Sequence, residues 1–236
     1  MNAFAPLQLQ RAVTAICPDI ADRANATPRV RGERRLWWEL SCCLLSSQVP
    51  YALAAAASDR IAKSDLLILP HADEADLADD LTTLLTTPLS MSGSLRRYRF
   101  PHARARQLAA TTVAIHASAG SLSELIRVAG TGEAVREWLV ANAPGIGPKQ
   151  ASMFVRNVGL SYELAILDRH VLNYMTALDI TPTPIPTTSS LPRYLKGETA
   201  LRVHADDIGV SVGLLDWAIW IVMRVAKTTK KEVLAA

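Results

Sequence analysis

Residues 144–159 read "PGIGPKQASMFVRNVG", a tight turn that runs straight into a helical stripe. Ala151, Phe154, Val155 and Val158 fall at i, i+3, i+4 and i+7, so one face of that helix is apolar. Just upstream, Val135, Trp138 and Leu139 take helical spacing together with Asn142. Two helices joined by so short a turn double back on each other, which makes a helix–hairpin–helix. The rest of the chain has the composition for more of the same. Half of its residues are apolar, Ala and Leu dominate, and only three are Phe. No strand-like alternation and no repeat stands out, so an all-α fold is expected. At 236 residues the chain can bury a substantial core, as one large domain or two interleaved lobes.

Apolar spacing predicts further helices. Residues 36–46 are apolar almost all round, the pattern of a central core helix. Residues 49–62 follow, with Pro50 in the first turn, and then 73–85, 101–118, a short helix over 122–128, 169–178, 198–207 and 213–225. An N-terminal helix leads into a polar connection over residues 19–35, broken by Pro28 and Gly32. "TTPLSMSGSLRRYRF" reads as a loop, and "DITPTPIPTTSSLPRYLKG", with four prolines, as an ordered loop or a linker. A basic tail, "KTTKKEVLAA", ends the sequence.

The formal charge of +3 and a pI near 8.9 permit a nucleic-acid partner without demanding one. Cys17, Cys42 and Cys43 match no disulfide framework and no zinc or iron–sulfur spacing, so a reducing cytoplasm is the simplest setting. The N-terminus lacks a basic segment followed by an apolar one, so no secretory signal is expected. "LWWELSCCLLSSQVPYALAAAA" is interrupted by Glu39, Gln48 and Pro50 and is too broken to cross a bilayer.

The chemistry concentrates around the hairpin. Gly145 and Gly147 allow positive φ and leave backbone N–H groups uncovered, which with a helix N-terminus suits a DNA phosphate. The plainer reading is a glycine-rich turn that only reverses the chain. Lys149 is a cation at the positive end of a helix dipole, an arrangement that favours the neutral amine and so a nucleophile. In isolation the plainer reading is a surface lysine with its head in water. Asp168 follows the apolar run "LAIL" and precedes "RHVLNYM", the position of an N-cap. Capping does not exclude function, because a capping carboxylate is held rigid beside any positive centre that forms near it.

The order of helix, Pro-Gly-Ile-Gly hairpin, Lys149, helix and then Asp168 resembles the helix–hairpin–helix superfamily of DNA base-excision glycosylases. "GIGPKQASMFVRNVG" with "LAILDRHVL" is similar to the small, mainly archaeal type of 8-oxoguanine DNA glycosylase/AP lyase. "WWELSCCLLSSQ" resembles that family's early core helix, and "YRFPHARARQLA" its Tyr-Arg-Phe segment and basic helix. "LLDWAIWIVM" resembles its closing helix, with Asp216 and Trp220 at matching positions. The resemblance implies two helical lobes with the active site in a cleft between them. Residues 33–157 would carry the hairpin and Lys149, and residues 1–32 with 158–236 would carry Asp168.

It also implies the activity, a bifunctional N-glycosylase/AP lyase on double-stranded DNA with a flipped base. Lys149 attacks C1′ as the base leaves, Asp168 stabilises the developing positive charge, and the Schiff base permits β-elimination. Gln48 stands where related enzymes fill the gap left by the flipped base. Arg96, Arg97, Arg99, Arg104 and Arg106 form a basic cluster with Tyr98 and Phe100 interleaved. From it Arg99 and Arg104, together with Arg156, Gly145 and Gly147, are expected at DNA, and Trp220, Asp216 and Cys43 at the base pocket. Each has a plainer alternative, an exposed Gln, a solvated basic face, or a Trp or Cys packed in the core. No cofactor and no catalytic metal are expected, only a structural monovalent cation on hairpin carbonyls. The expected protein is a cytoplasmic, nucleoid-associated monomer with no membrane partner.

The family pattern is departed from at the end of the chain. The family that the chain resembles usually ends shortly after its Trp helix, with a C-terminal lysine that helps read the purine. Here the region is "IVMRVAKTTKKEVLAA", apolar at Val222 and Met223 and running on past Lys230 and Lys231. The Pro-rich segment 182–192 is a second departure. The resemblance makes 8-oxoguanine the first expectation for the excised base, and these departures keep a second one open. The alternative is another modified base, such as a modified cytosine in foreign phage DNA. The second alternative, a non-catalytic helix–hairpin–helix DNA-binding protein, has no use for the Lys149–Asp168 pair. An iron–sulfur enzyme of the endonuclease III kind is excluded by the missing four-cysteine cluster.

Overall fold

The computed structural model describes residues 5–71, 73–91, 93–181 and 190–235, with side chains as far as residue 226. In chain order come α1 (Pro6–Ala26), α2 (Glu33–Leu45), α3 (Tyr51–Ser64) and α4 (Glu74–Thr86). A short strand pair follows, β1 (Leu89–Met91) and β2 (Ser94–Arg96). Then come α5 (Pro101–Ala119), α6 (Leu122–Ala129), α7 (Gly132–Asn142) and α8 (Pro148–Asn157). The last three are α9 (Arg169–Ala177), α10 (Leu191–Ile208) and α11 (Val212–Ala235). The fold is helical, as the apolar spacing predicts. No single helix among the described residues is long and apolar enough to cross a membrane.

Several boundaries differ from the sequence reading, each for a physical reason. α1 runs on to Ala26, so the expected connection over 19–35 shrinks to a few residues before α2. Its buried stripe of Leu9, Val13, Cys17, Ile20 and Ala24 continues straight through the polar stretch, whose charged residues take the outer face. The "TTPLSMSGSLRRYRF" loop contains the antiparallel pair Leu89↔Arg96, Ser90↔Leu95 and Met91↔Ser94, too short to show alternation. Pro50 is the N-cap of α3 and not a residue of its first turn. α11 continues to Ala235 where a basic tail was expected after residue 225. Of the Pro-rich segment 182–192, residues 182–189 lie outside the described residues.

Two compact units emerge, Arg29–Leu160 and Met1–Pro28 with Ser161–Ala236. In the first, α2 is the central element and packs on α3, α5, α6 and α8. Its Leu40, Leu44 and Leu45 are wholly buried, each worth about 1.5–3 kcal/mol. The Glu33 carboxylate takes the N–H groups of Leu122 (2.6 Å) and Ser123 (2.9 Å), so the start of α2 places an anion on the N-terminus of α6. In the second unit α1, α9 and α10 pack on α11. Val13, Leu172, Leu201, Leu215 and Ile219 belong to its core.

Candidate active site

Residues 143–147 join α7 to α8. Ile146 is buried and its N–H donates to Ala143 O at 3.1 Å, which pins the turn from inside. Gly145 takes φ +83°, in the left-handed region, and a Cβ there would collide with the Gln107 side-chain amide. Gly147 does not take the positive φ foreseen for it. At φ −93° and ψ 178° its backbone is extended, a conformation open to any residue. Gly145 is needed for the shape of the turn, whereas Gly147, the N-cap of α8, leaves backbone uncovered. Among the described residues the N–H groups of Gly145, Gly147, Lys149 and Gln150 donate to no acceptor. With the positive end of α8 they form an anion cradle. The carbonyls of Gly145 and Ile146 likewise accept no hydrogen bond among the described residues.

Lys149 is the second residue of α8 and half-buried beside this cradle. Cys43, on α2, lies within electrostatic reach of Lys149 and of the half-buried Arg156. Burial nevertheless dominates and pushes the Cys43 thiol well above the ordinary cysteine range. The thiol therefore stays protonated and packed, so it is no nucleophile.

After α2 the chain turns through Gln48, which is exposed and held at φ +61°. A non-glycine residue in that region is uncommon and needs support from its surroundings. The support comes from two sides, Tyr98 OH donating to Leu45 O at 2.7 Å and Arg104 Nη2 donating to Ser47 O at 3.4 Å. Arg104 also donates from Nη1 to Gln107 Oε1 at 2.6 Å. Its Nε is buried with no partner among the described residues. Arg104 thus faces inward, not out to a phosphate as the basic cluster suggested. Arg96, Arg97 and Arg99 are exposed, and the Arg99 guanidinium lies 4.8 Å from the centre of the Phe100 ring.

Asp168 belongs to the other unit. The residues before it are held by three consecutive backbone hydrogen bonds to buried side chains. Ala165 N–H donates to Glu198 (2.8 Å), Ile166 N–H to Asp216 (2.6 Å) and Leu167 N–H to Tyr194 Oη (3.0 Å). Tyr194 in turn donates to Ala165 O at 2.7 Å. Asp168 then caps α9, with Oδ1 accepting from His170 N (2.8 Å) and Val171 N (2.9 Å). Its Oδ2 has no partner among the described residues, so one oxygen anchors the carboxylate and the other is on offer. Asp216, expected at a base pocket, is 1% exposed and holds the Ile166 N–H. Trp220 is 38% exposed, unlike a core tryptophan, with the Arg224 guanidinium 4.3 Å from its ring centre.

A family model described as 8-oxoguanine DNA glycosylase matches residues 22–210. The chain belongs to the 8-oxoguanine DNA glycosylase family. The 8-oxoguanine DNA glycosylase/AP lyase of Thermotoga petrophila is 32% identical over 192 residues, 81% of either chain. The crystal structure of the Thermotoga maritima 8-oxoguanine DNA glycosylase matches at a TM-score of 0.66 and 31% identity, covering 91% of this chain and 93% of that one. The Methanocaldococcus jannaschii 8-oxoguanine glycosylase/lyase was solved with a 15mer DNA containing 8-oxoguanine. It shares the fold at a TM-score of 0.55 and 24% identity, over 90% of this chain and 87% of that one.

Within this member of the glycosylase family, sequence reasoning missed Gln107, Tyr194 and Glu198. Gln107 carries no signal, being one polar residue on a mixed helix. Glu198 had one. Tyr194, Glu198, Leu201 and Ala205 make the buried stripe of α10, and an acidic residue in such a stripe needs a partner inside.

Proposed function

We propose that this protein is a bifunctional DNA N-glycosylase/AP lyase that excises 8-oxoguanine through a Schiff base on Lys149. The observation that carries the reading is Lys149 in the first turn of α8, beside a cradle of N–H groups that have no acceptor among the described residues. A DNA phosphate held by that cradle brings the sugar of the flipped nucleotide to the amine. The Lys149 nitrogen forms a bond to C1′ while the N-glycosidic bond breaks and its electron pair leaves with the base. Asp168 stabilises the positive charge that develops on the sugar, through the oxygen its cap leaves available. Ring opening then gives the imine, loss of a C2′ proton expels the 3′ phosphate, and the strand is nicked. Gln48, Arg99 and Arg156 act at the DNA backbone and the vacated stack, and Trp220 stacks on the extruded base. The only ion in this reading is a monovalent cation on the hairpin carbonyls. The reading also takes the protein to be a monomer at the nucleoid.

Borohydride trapping tests the reading on duplexes carrying 8-oxoguanine, an abasic site, uracil or modified cytosines. An adduct with 8-oxoguanine that Lys149→Gln abolishes is the expected result. Asp168→Asn keeps a competent cap but removes the charge, so base release should slow by about 100-fold or more while the fold survives. Trapping only on a modified cytosine would transfer the chemistry to the alternative base. Trapping on none of the duplexes would overturn the lysine mechanism.

A further inference from the structure

Gln48 and Gly145 both sit in left-handed backbone, at φ +61° and +83°, in two turns far apart in sequence. Both turns lean on one pair of side chains from α5. The Arg104 guanidinium reaches the carbonyl of Ser47, the residue just before Gln48, and donates to the Gln107 amide one helical turn along. The Gln107 amide lies where a Cβ of Gly145 would be, so the absent side chain lets the hairpin close onto it. Tyr98 completes the link, within electrostatic reach of Arg104 and donating to Leu45 O at the end of α2, just before the Gln48 turn. A phosphate-binding arginine would leave its fork in solvent, whereas here Nη1 and Nη2 both serve protein acceptors and Nε is buried.

We propose that Arg104, acting through Gln107, is a positioning residue that couples the Gln48 turn to the Gly145 hairpin, so that filling the vacated base stack and gripping the phosphate occur at one fixed spacing. A turn strained at Gln48 holds its shape only while its surroundings over-determine it, and the Arg104 contact supplies that restraint. The planar fork is what spans two acceptors at once, which neither lysine nor a neutral isostere does. This rests on the glycosylase reading and on Gln48 as the gap-filling side chain.

The test is a duplex containing an abasic analogue that resists cleavage, with 2-aminopurine beside it to report unstacking, so neither turnover nor the identity of the excised base enters. Binding of the unaltered protein raises the fluorescence, and Gln48→Ala lowers the rise. Arg104→Met and Gln107→Leu are expected to lower it to the Gln48→Ala level, weaken binding about tenfold or more, and keep cooperative unfolding. In the Gln48→Ala background, Arg104→Met should change the fluorescence by less than about twofold, because both lie on one path. A full Arg104→Met loss added on top of Gln48→Ala overturns the coupling, as does an Arg104→Met protein with unaltered fluorescence. Should Arg104→Met unfold, Gln107→Leu decides by the same two readouts. Gln48→Ala with an unaltered rise refutes the gap-filling role itself, an outcome distinct from failure of the coupling alone.

Discussion

Gly145 and Gly147 flank Ile146 in one turn, yet the chain asks different things of them. At φ +83° an L side chain costs about 1–2 kcal/mol, and at Gly145 it also meets the Gln107 amide. Gly145→Ala should therefore lower the unfolding temperature by several degrees and loosen the hairpin. Gly147 pays no such conformational cost, and a Cβ there meets only Gln150 Oε1 at 3.4 Å, an ordinary contact. Gly147→Ala should cost less than about 1 kcal/mol of stability but weaken duplex binding, since the methyl group crowds the N–H cradle. Thermal unfolding and a binding titration on both variants separate the two roles. Equal destabilisation by the two would show that Gly147 is a conformational residue after all. The motif "GIG" was plain in the sequence, but its two glycines look alike there, and only the dihedral angles divide the labour.

At the scale of elements, starts of helices were more legible than the contacts that support them. Asp168 as the cap of α9 and Lys149 in the first turn of α8 follow from local chemistry, because an N-cap and a Gly-Pro entry act within a few residues. The three side chains that fix residues 165–167 come from α10 and α11, so nothing near them in sequence announces the arrangement. The full length of α1 was obscured by its polar outer face, and the strand pair by its brevity. α10 also carries a titrating contact that sequence spacing does not reveal. His204 Nε2 lies 3.1 Å from Tyr174 Oη of α9, and burial lowers its pKa below the ordinary histidine value against an opposing pull from Asp207. The unfolded chain therefore takes up this proton first. Its contribution to stability is complete above the ordinary pKa of 6.5 and is lost as the pH falls through that value towards the lower folded one. Unfolding temperatures measured between about pH 7.5 and 5 should fall more steeply for the unaltered protein than for His204→Gln. Parallel curves would remove His204 from the account.

Across the whole molecule the 25 Lys and Arg are nearly balanced by 22 Asp and Glu, which leaves a net +3. So small a charge does not hold a duplex by its overall field, and the grip on DNA must come from local groups. With Arg104 turned to protein acceptors, the exposed Arg96 and Arg97, at the end of β2 and just beyond it, are candidates alongside Arg99. Each phosphate neutralised by a cation releases condensed counterions, so the salt dependence of binding counts the contacts. Changing Arg96 and Arg97 to Ser takes two charges from +3 and leaves +1. The slope of log affinity against log salt should then become shallower by about 1.8, or 0.9 per lost contact. Changing the exposed Arg11 and Arg23 of α1 to Ser leaves the same net charge. That pair should leave the slope where it was. If both pairs flatten it alike, the overall field governs binding after all; if only Arg96 and Arg97 matter, the short strand pair is part of the surface that meets DNA.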